Sequence, residues 1–312
     1  ALLPLTWIHQ FEKGSQCMIP EILSKAKELG FIGVGFSLPL RPFFLEEFKS
    51  WVASGRNAEM AWMERNTDIR EDPSRLLSGC RSIISLAFPY PLKKPSTEDG
   101  LTLSRYSRPT EGNYHSQLRE KCLPIADLIK KQYRSSVSRV CVDSAPILER
   151  SFAYSSGIGY IGKNNMLIIP GYGSYFYLAE ILTTAPLDIP AIKPVKNICG
   201  KCDNCIRACP TGALMGPNDF DSSKCLSYLT IEFKGDINEK IGEQMDRCFF
   251  GCDICQEVCP HNKENNQIEI CMPPSEELLS MDEKVFKRIY GKTALSRAGL
   301  AKIKSNLSAL AG

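Results

Sequence analysis

Residues 199–214 read "CGKCDNCIRACPTGAL", and the spacing inside them decides what kind of fold this chain can have. Cys199, Cys202, Cys205 and Cys209, with Pro210 behind the last, form C-x2-C-x2-C-x3-C-P without a flaw. Residues 246–262, "DRCFFGCDICQEVCPHN", repeat the second half of that pattern as Cys252-x2-Cys255-x3-Cys259-Pro260. The first cysteine of a perfect copy would stand where the chain has Phe249, and Cys248 comes one residue early.

A structural zinc site takes four ligands, usually from two C-x2-C pairs. Three cysteines at two-residue intervals instead wrap a tight loop around one iron–sulfur cube. The fourth, three residues on and ahead of proline, points away to a second cube. Two such runs describe a bacterial two-cluster ferredoxin module with two 4Fe–4S clusters. The first cluster would take Cys199, Cys202, Cys205 and the crossing Cys259, and the second Cys252, Cys255 and the crossing Cys209. The spacing leaves the second cluster's fourth ligand open between two cysteines. Cys248 is near but stands one residue too far from Cys252, and Cys225 lies in the long connection "DSSKCLSYLT".

The whole chain has 312 residues, room for one large domain or two ordinary ones. It is 43% hydrophobic and 23% charged, without low-complexity runs, which is the composition of a soluble globular protein. No apolar stretch approaches the ~20 residues that cross a bilayer. The opening "ALLPLTWIHQF" lacks the basic start of a signal peptide. A cytoplasmic protein without membrane contact is expected. The net charge of +3 does not by itself announce a nucleic-acid partner. Outside the two runs, Cys17, Cys80, Cys122 and Cys141 read as small buried hydrophobes.

Ahead of the cysteine module, helical and strand patterns alternate. "PEILSKAKELG" from Pro20 opens with proline and ends with glycine, as a helix does. "FIGVGFSL", "RSIISLAFPY", "RVCVDSAP", "NMLIIP" and "SYFYLAEILTT" read as strands. "FFLEEFKSWVASG" and the stretch from Tyr114 to about Tyr133 read as helices, the latter kinked or broken at Pro124. A further helix is expected from Pro146, and the C-terminal stretch after 270 reads as helices. This implies an α/β (α+β) N-terminal domain over 1–190, a two-cluster module over 191–270 and C-terminal helices over 271–312. No G-x-G-x-x-G follows a strand and no P-loop is present, so the acceptor of the electrons is not a nucleotide bound in those ways.

The stretch "VDSAPILERSFAYSSGIGYIGKNNMLIIPGYGSYFYLAEILTT", followed by the first run, "KCLSYLTIE" and "GCDICQEVCPHN", closely resembles the epoxyqueuosine reductases. The likeness extends from the first helix to "YGKTALSRAGL". It implies a cobalamin-binding N-terminal domain related to reductive dehalogenases. The implied reaction is the reduction of epoxyqueuosine to queuosine at the wobble position of tRNA, with electrons from an external low-potential donor. It also implies that Cys225 is the missing ligand and Cys248 a spare thiol. Some members carry an added C-terminal helical-repeat domain, for which this chain is expected to stop too early. A monomer is expected. Two rival readings are a dehalogenase-like cobalamin reductase and a ferredoxin-type electron carrier.

The resemblance also marks individual residues. Asp143, in "VDS", matches the family's proton-donating aspartate. Apolar surroundings would raise its pKa and keep it neutral, although an N-cap role for Asp143 is the alternative. Arg70, Tyr106, His115, Gly162, Lys163, Ser227 and Asp253 match positions around the corrin or active site, and Lys234 may be read as facing the anticodon's entry. No D-x-H-x-x-G occurs, so His115 is not expected to ligate cobalt. The basic stretches "KKQYRSSVSR" and "KVFKRIYGKTALSRAGLAKIK" are candidates for phosphate contacts.

Overall fold

The computed structural model describes residues 18–263 and 267–311. Cys17 and the opening eleven residues discussed above therefore lie outside the described residues.

The strands expected in the first half assemble into one sheet. Gly33–Ser37, Ser82–Pro89, Phe176–Thr183 and Ser138–Cys141 lie in that spatial order, each antiparallel to its neighbour. Successive side chains of a strand face opposite ways. Ile84, Leu86, Ala179, Ile181 and Val140 accordingly pack with Ile19, Ile22, Leu118, Cys122, Ile125 and Ile129. Those partners come from the helices Ile19–Glu28 and Tyr114–Gln132. The longer helix runs through Pro124 without ending there, contrary to the expected break. The other face of the sheet receives the helix Glu149–Ser155, with Phe152 among Ile83, Cys141 and Leu182 and Ala153 among Ala87 and Ile158.

That short helix sits close because residue 35 is glycine. A Cβ there would lie 2.4 Å from Ser156 Oγ and 2.6 Å from the Ser156 carbonyl oxygen. Any side chain at 35 would lift the helix end and move the turn before it.

A second four-stranded sheet joins distant parts of the chain. Lys94–Thr97 and Thr102–Leu103 stand at its centre, with Cys248–Phe250 and Ile268–Met272 pairing in parallel on either side. Divisions at 190 and 270 therefore pass through a shared sheet. Around it, Leu103 packs with Leu226, Phe249, Phe250, Phe286, Ile303 and Leu307. The N-terminal half, the cysteine runs and the C-terminal helices share this core. At ~25 cal/mol per Å² of apolar surface, it binds the three stretches into one cooperative unit.

Candidate active site

The strand carrying Cys141 stops there, and the next helix begins at Glu149 rather than Pro146. Asp143 stands in the turn between them. It does not cap a helix, because Leu148 holds that place without a side-chain bond. Its φ of +53° lies in the left-handed region, which aspartate tolerates better than most residues. The turn is anchored where the Asp143 N–H donates to Glu149 Oε1 at 2.6 Å.

Two neighbours meet the Asp143 carboxylate from the start of the 114–132 helix. Tyr114 donates its hydroxyl to Oδ2 at 2.6 Å, and His115 Nε2 stands 3.0 Å from the same oxygen. Asn113 caps this helix: its Oδ1 accepts the His115 backbone N–H at 2.8 Å and lies 2.8 Å from Nδ1. An amide oxygen can only accept, so Nδ1 carries a hydrogen. The contact between Nε2 and Oδ2 then requires one more proton, on the ring or on the carboxyl. Asp143 and His115 together hold one transferable proton.

This corrects the expected neutral carboxyl. Burial pushes the Asp143 pKa up, but the hydrogen bonds from His115 and Tyr114 outweigh it and leave the carboxyl below its usual range. The residue sits among donors rather than apolar groups. Its side chain is 58% exposed, yet burial is the largest single influence on it. It stands in a surface hollow, ringed by protein yet open to water.

Aromatic rings form one side of the hollow. Tyr114 stacks on Tyr177 at 4.5 Å and on His115 at 4.0 Å. The Tyr177 hydroxyl donates to the Tyr106 carbonyl at 2.6 Å. Tyr106 meets Tyr114 edge-on and also reaches Phe250, each at 6.3 Å between centroids. Burial raises the Tyr106 pKa, with the charges of Asp143 and Asp253 adding to it. Arg297, from the C-terminal segment, is bonded to Glu232 and stacks 4.5 Å over Trp62, and its charge also reaches Asp143. Sequence reasoning missed Tyr114, Tyr177, Arg297 and Glu149. The pairing of Tyr114 with His115 at a helix start was the available signal, but Arg297 could be found only by folding the chain.

The cysteine module grips this site directly. Asp253, next to Cys252 and 2% exposed, accepts the Arg105 backbone N–H at 2.7 Å and faces its guanidinium at 3.3 Å. Arg105 precedes Tyr106, so the loop of the second cysteine run fixes the tyrosine beside Asp143. Gly251 makes this approach possible: a Cβ there would lie 2.1 Å from Ser104 Oγ, and its φ is +76°.

The fold sorts the eight cysteines into two neighbourhoods. The Cys205 thiol is raised by burial and then by Cys259 and Cys199, and that of Cys259 by burial and then by Cys199 and Cys202. In the other group, Cys252 is raised by burial with Cys248 and Cys225 adding, and Cys255 by burial with Cys252 and Cys225. Cys225 is raised by burial and by Cys209. Thus Cys225 stands with Cys209, Cys252 and Cys255 at the start of the Leu226–Ile231 helix. Cys248 is fully buried near them, its thiol directed at the Phe250 and Gly251 carbonyls at 3.5 and 3.6 Å. No three His, Cys, Asp or Glu among the described residues converge on a single-ion position. A 4Fe–4S cube spreads its thiolates over separate corners.

The surroundings fit such groups. The Tyr160 hydroxyl is buried without a hydrogen-bond partner and lies beside Cys199 and Cys259, where electron-rich sulfur would accept from it. The Arg70 Nε is likewise buried without a partner. Arg70 is packed over Phe48 at 5.5 Å, and burial lowers its pKa.

The other marked residues are dispersed. Lys163 donates to the Gly200 and Cys202 carbonyls at 2.9 and 2.8 Å, so its ammonium ties down the loop of the first run. Gly162, just before it, packs on Ile168 and Asn164. Ser227 lies in the helix after Cys225, and exposed Lys234 is held through its backbone N–H by Glu59 at 3.1 Å. The stretch 130–139 begins at the far end of the 114–132 helix, ~22 Å along its axis from His115. From the C-terminal basic stretch, Arg297 comes to the hollow. No helix among the described residues is long and apolar enough to cross a membrane.

Comparison with known proteins agrees with this arrangement. Residues 198–262 match the family described as "4Fe-4S double cluster binding domain", and residues 70–144 match "Epoxyqueuosine reductase QueG, DUF1730". An epoxyqueuosine reductase of Cellulophaga algicola is 35% identical over 93% of this chain and 96% of its own length. That of Escherichia coli K12 is 33% identical over 91% of this chain and 78% of its own. A Streptococcus thermophilus epoxyqueuosine reductase structure superimposes with a TM-score of 0.81 at 30% identity, covering 94% of this chain and 80% of the other. A crystal structure of epoxyqueuosine reductase with an epoxyqueuosine-modified tRNA-Tyr stem loop gives a TM-score of 0.81 at 28% identity over the same shares. This chain belongs to the epoxyqueuosine reductase family.

Proposed function

We propose that this protein reduces epoxyqueuosine to queuosine in the anticodon of tRNA, and that Asp143 delivers the proton the departing oxygen needs. The observation that carries this reading is the contact of Asp143 Oδ2 with His115 Nε2, 3.0 Å apart in the hollow. Overall, the epoxide carbon–oxygen bonds break, two electrons and two protons are taken up, and an alkene and water are formed. An oxygen leaving as oxide or hydroxide is poor at neutral pH, so a positioned acid is required.

Cobalamin, bound in the hollow, would supply a strongly reducing metal centre for the strained ring, and two 4Fe–4S clusters would supply its electrons one at a time. Cys199, Cys202, Cys205 and Cys259 would hold one cluster, and Cys209, Cys225, Cys252 and Cys255 the other. Asp253 and Gly251 fix the second cysteine loop against Ser104 and Tyr106, beside the hollow. Tyr114 orients the Asp143 carboxyl, and Asn113 orients His115. The stacked Tyr114 and Tyr177 exclude water from that side.

A wobble base in a single-stranded loop can be turned outward at small cost, and Arg297 and the basic stretch around it are placed to meet the phosphates beside it. The electron donor is an external low-potential carrier and the working unit is a monomer. In the deciding experiment, reconstituted, reduced protein is incubated with tRNA carrying epoxyqueuosine and the nucleosides are analysed. Queuosine is expected; its absence from protein that holds both clusters and cobalamin would overturn the substrate.

A further inference from the structure

The function proposed above needs the Asp143 carboxyl held in position, and the Asp143 turn rests on Glu149. Behind Asp143 the sheet contains a polar row that the mechanism does not use. Gly35, Ser85, Glu180 and Cys141 are register partners across the four strands, so they share one face, the face that receives the 149–155 helix. That row separates the apolar cluster around Phe152 from the one around Ala153. Glu180 is 0% exposed, and neither carboxylate oxygen has a hydrogen-bond donor. Its side-chain contact is Glu149, from the helix above. The other Glu149 contact is the one described for the Asp143 turn, Oε1 accepting the Asp143 N–H.

Two carboxylates in contact away from water cannot both be ionised, since each would lack a donor and face a like charge. One added proton turns the same contact into an O–H···O bond and satisfies an oxygen of each partner. We propose that Glu149 and Glu180 are joined by a proton-bearing O–H···O bond at neutral pH, and that this bond holds the turn carrying Asp143 in place.

The surrounding charges suit a proton held near neutrality. Arg150 follows Glu149 on its own helix, and Arg70 approaches Glu149 from the 67–71 helix. From the 114–132 helix come Arg119, bonded to the Val140 carbonyl at 3.1 Å, and buried Cys122. Cys141 lies across the strand pair, and Asp143 is the nearest other carboxylate. Burial and then the Asp143 charge push Glu149 up to about 8, and burial with Glu149 pushes Glu180 well above its ordinary value. As pH rises through about 8 Glu149 ionises, so the pair holds its bridging proton at neutral pH and the bond is altered in alkali. Glu149 and Glu180 are positioning residues, acting through Asp143 and touching neither substrate nor cofactor.

The test uses the holoprotein and has two readouts. Infrared spectra should contain the stretch of a protonated buried carboxyl at pH 7 that shifts in D2O, weakens above pH 8 and disappears in Glu180→Gln. This readout does not depend on the substrate, so it separates failure of the glutamate bond from failure of the proposed function. In turnover, Glu180→Gln, which keeps shape and neutrality, should lower kcat at least ~10-fold with KM for tRNA unchanged. The alkaline limb of its pH–rate profile should shift, because the amide replaces the acid that hydrogen-bonds Glu149. Glu180→Asp should recover part of the rate. A wild type without the carboxyl band at pH 7, or a Glu180→Gln variant with unchanged kcat and pH profile, would overturn the proposal. A fall in melting temperature alone, with kcat and profile intact, would also count against it.

Discussion

His115 Nε2 and Asp143 Oδ2 stand 3.0 Å apart with one proton between them, because Asn113 has already claimed the hydrogen on Nδ1. Asp143→Asn would remove the carboxyl while retaining size and most contacts. The expected outcome is unchanged cluster and cobalamin content with kcat reduced ~100-fold or more, measured by queuosine formation per enzyme. A variant that turns over normally would remove Asp143 from the chemistry.

The neighbourhood of Cys225 leads to a paired comparison. Cys225→Ala should lose one of the two clusters, with iron and sulfide reduced by about half and one of two reduced-cluster signals missing by electron paramagnetic resonance. Cys248→Ala, altering the nearby buried thiol, should retain both. Reversal of these two results would move the ligand to Cys248.

Lys163 offers a test of place. Because its ammonium ties the Gly200 and Cys202 carbonyls, Lys163→Met should hasten the loss of the first cluster in air without weakening cobalamin binding. Titration of the variant with cobalamin checks this; a markedly weakened corrin affinity would return Lys163 to that pocket.

Asp253 is buried against Arg105. Removing one partner of a buried pair leaves a charge without compensation. Asp253→Ala should cost about 3 kcal/mol in denaturant unfolding, the lower end of the usual range because Glu257 still pairs with Arg105. Loosening of Tyr106 should follow, seen as altered aromatic circular dichroism.

The raised Glu149 pKa has a sign for stability. The folded protein keeps a proton there that the unfolded chain releases above about 4.5, the ordinary value. Over that window the folded state binds more protons, so the Glu149 contribution to stability falls as pH rises from about 4.5 to about 8 and is absent above it. Melting temperatures measured across this range should show the decline, and Glu180→Gln should flatten it.

Much of this could be read from residue order, for reasons that differ from place to place. Strand and helix patterns up to Thr183 were visible because each buries one face. The two-cluster module was visible because its ligands lie close together in sequence. Cys225 could not be chosen by spacing, since the helix that carries it is brought in from another segment. The charge state of Asp143 was misjudged because its neighbours Tyr114 and His115 reach it only through the packing of a helix against the sheet. Arg297 and Glu180 were silent for the same reason: a lone arginine near the C-terminus and a glutamate inside an apolar strand mean nothing until their surroundings exist.

The parallel pairing of Lys94–Thr97 with Ile268–Met272, and of Thr102–Leu103 with Cys248–Phe250, has a bearing on how the protein is made. The strands of the first half leave the ribosome long before their partners and wait with open edges, a state prone to mispairing. Their partners flank the second cysteine run and are synthesised well after them. Iron delivery and closure of this sheet therefore compete for the same stretch of newly made chain, and a cell short of iron would accumulate protein that is not merely inactive but unfinished.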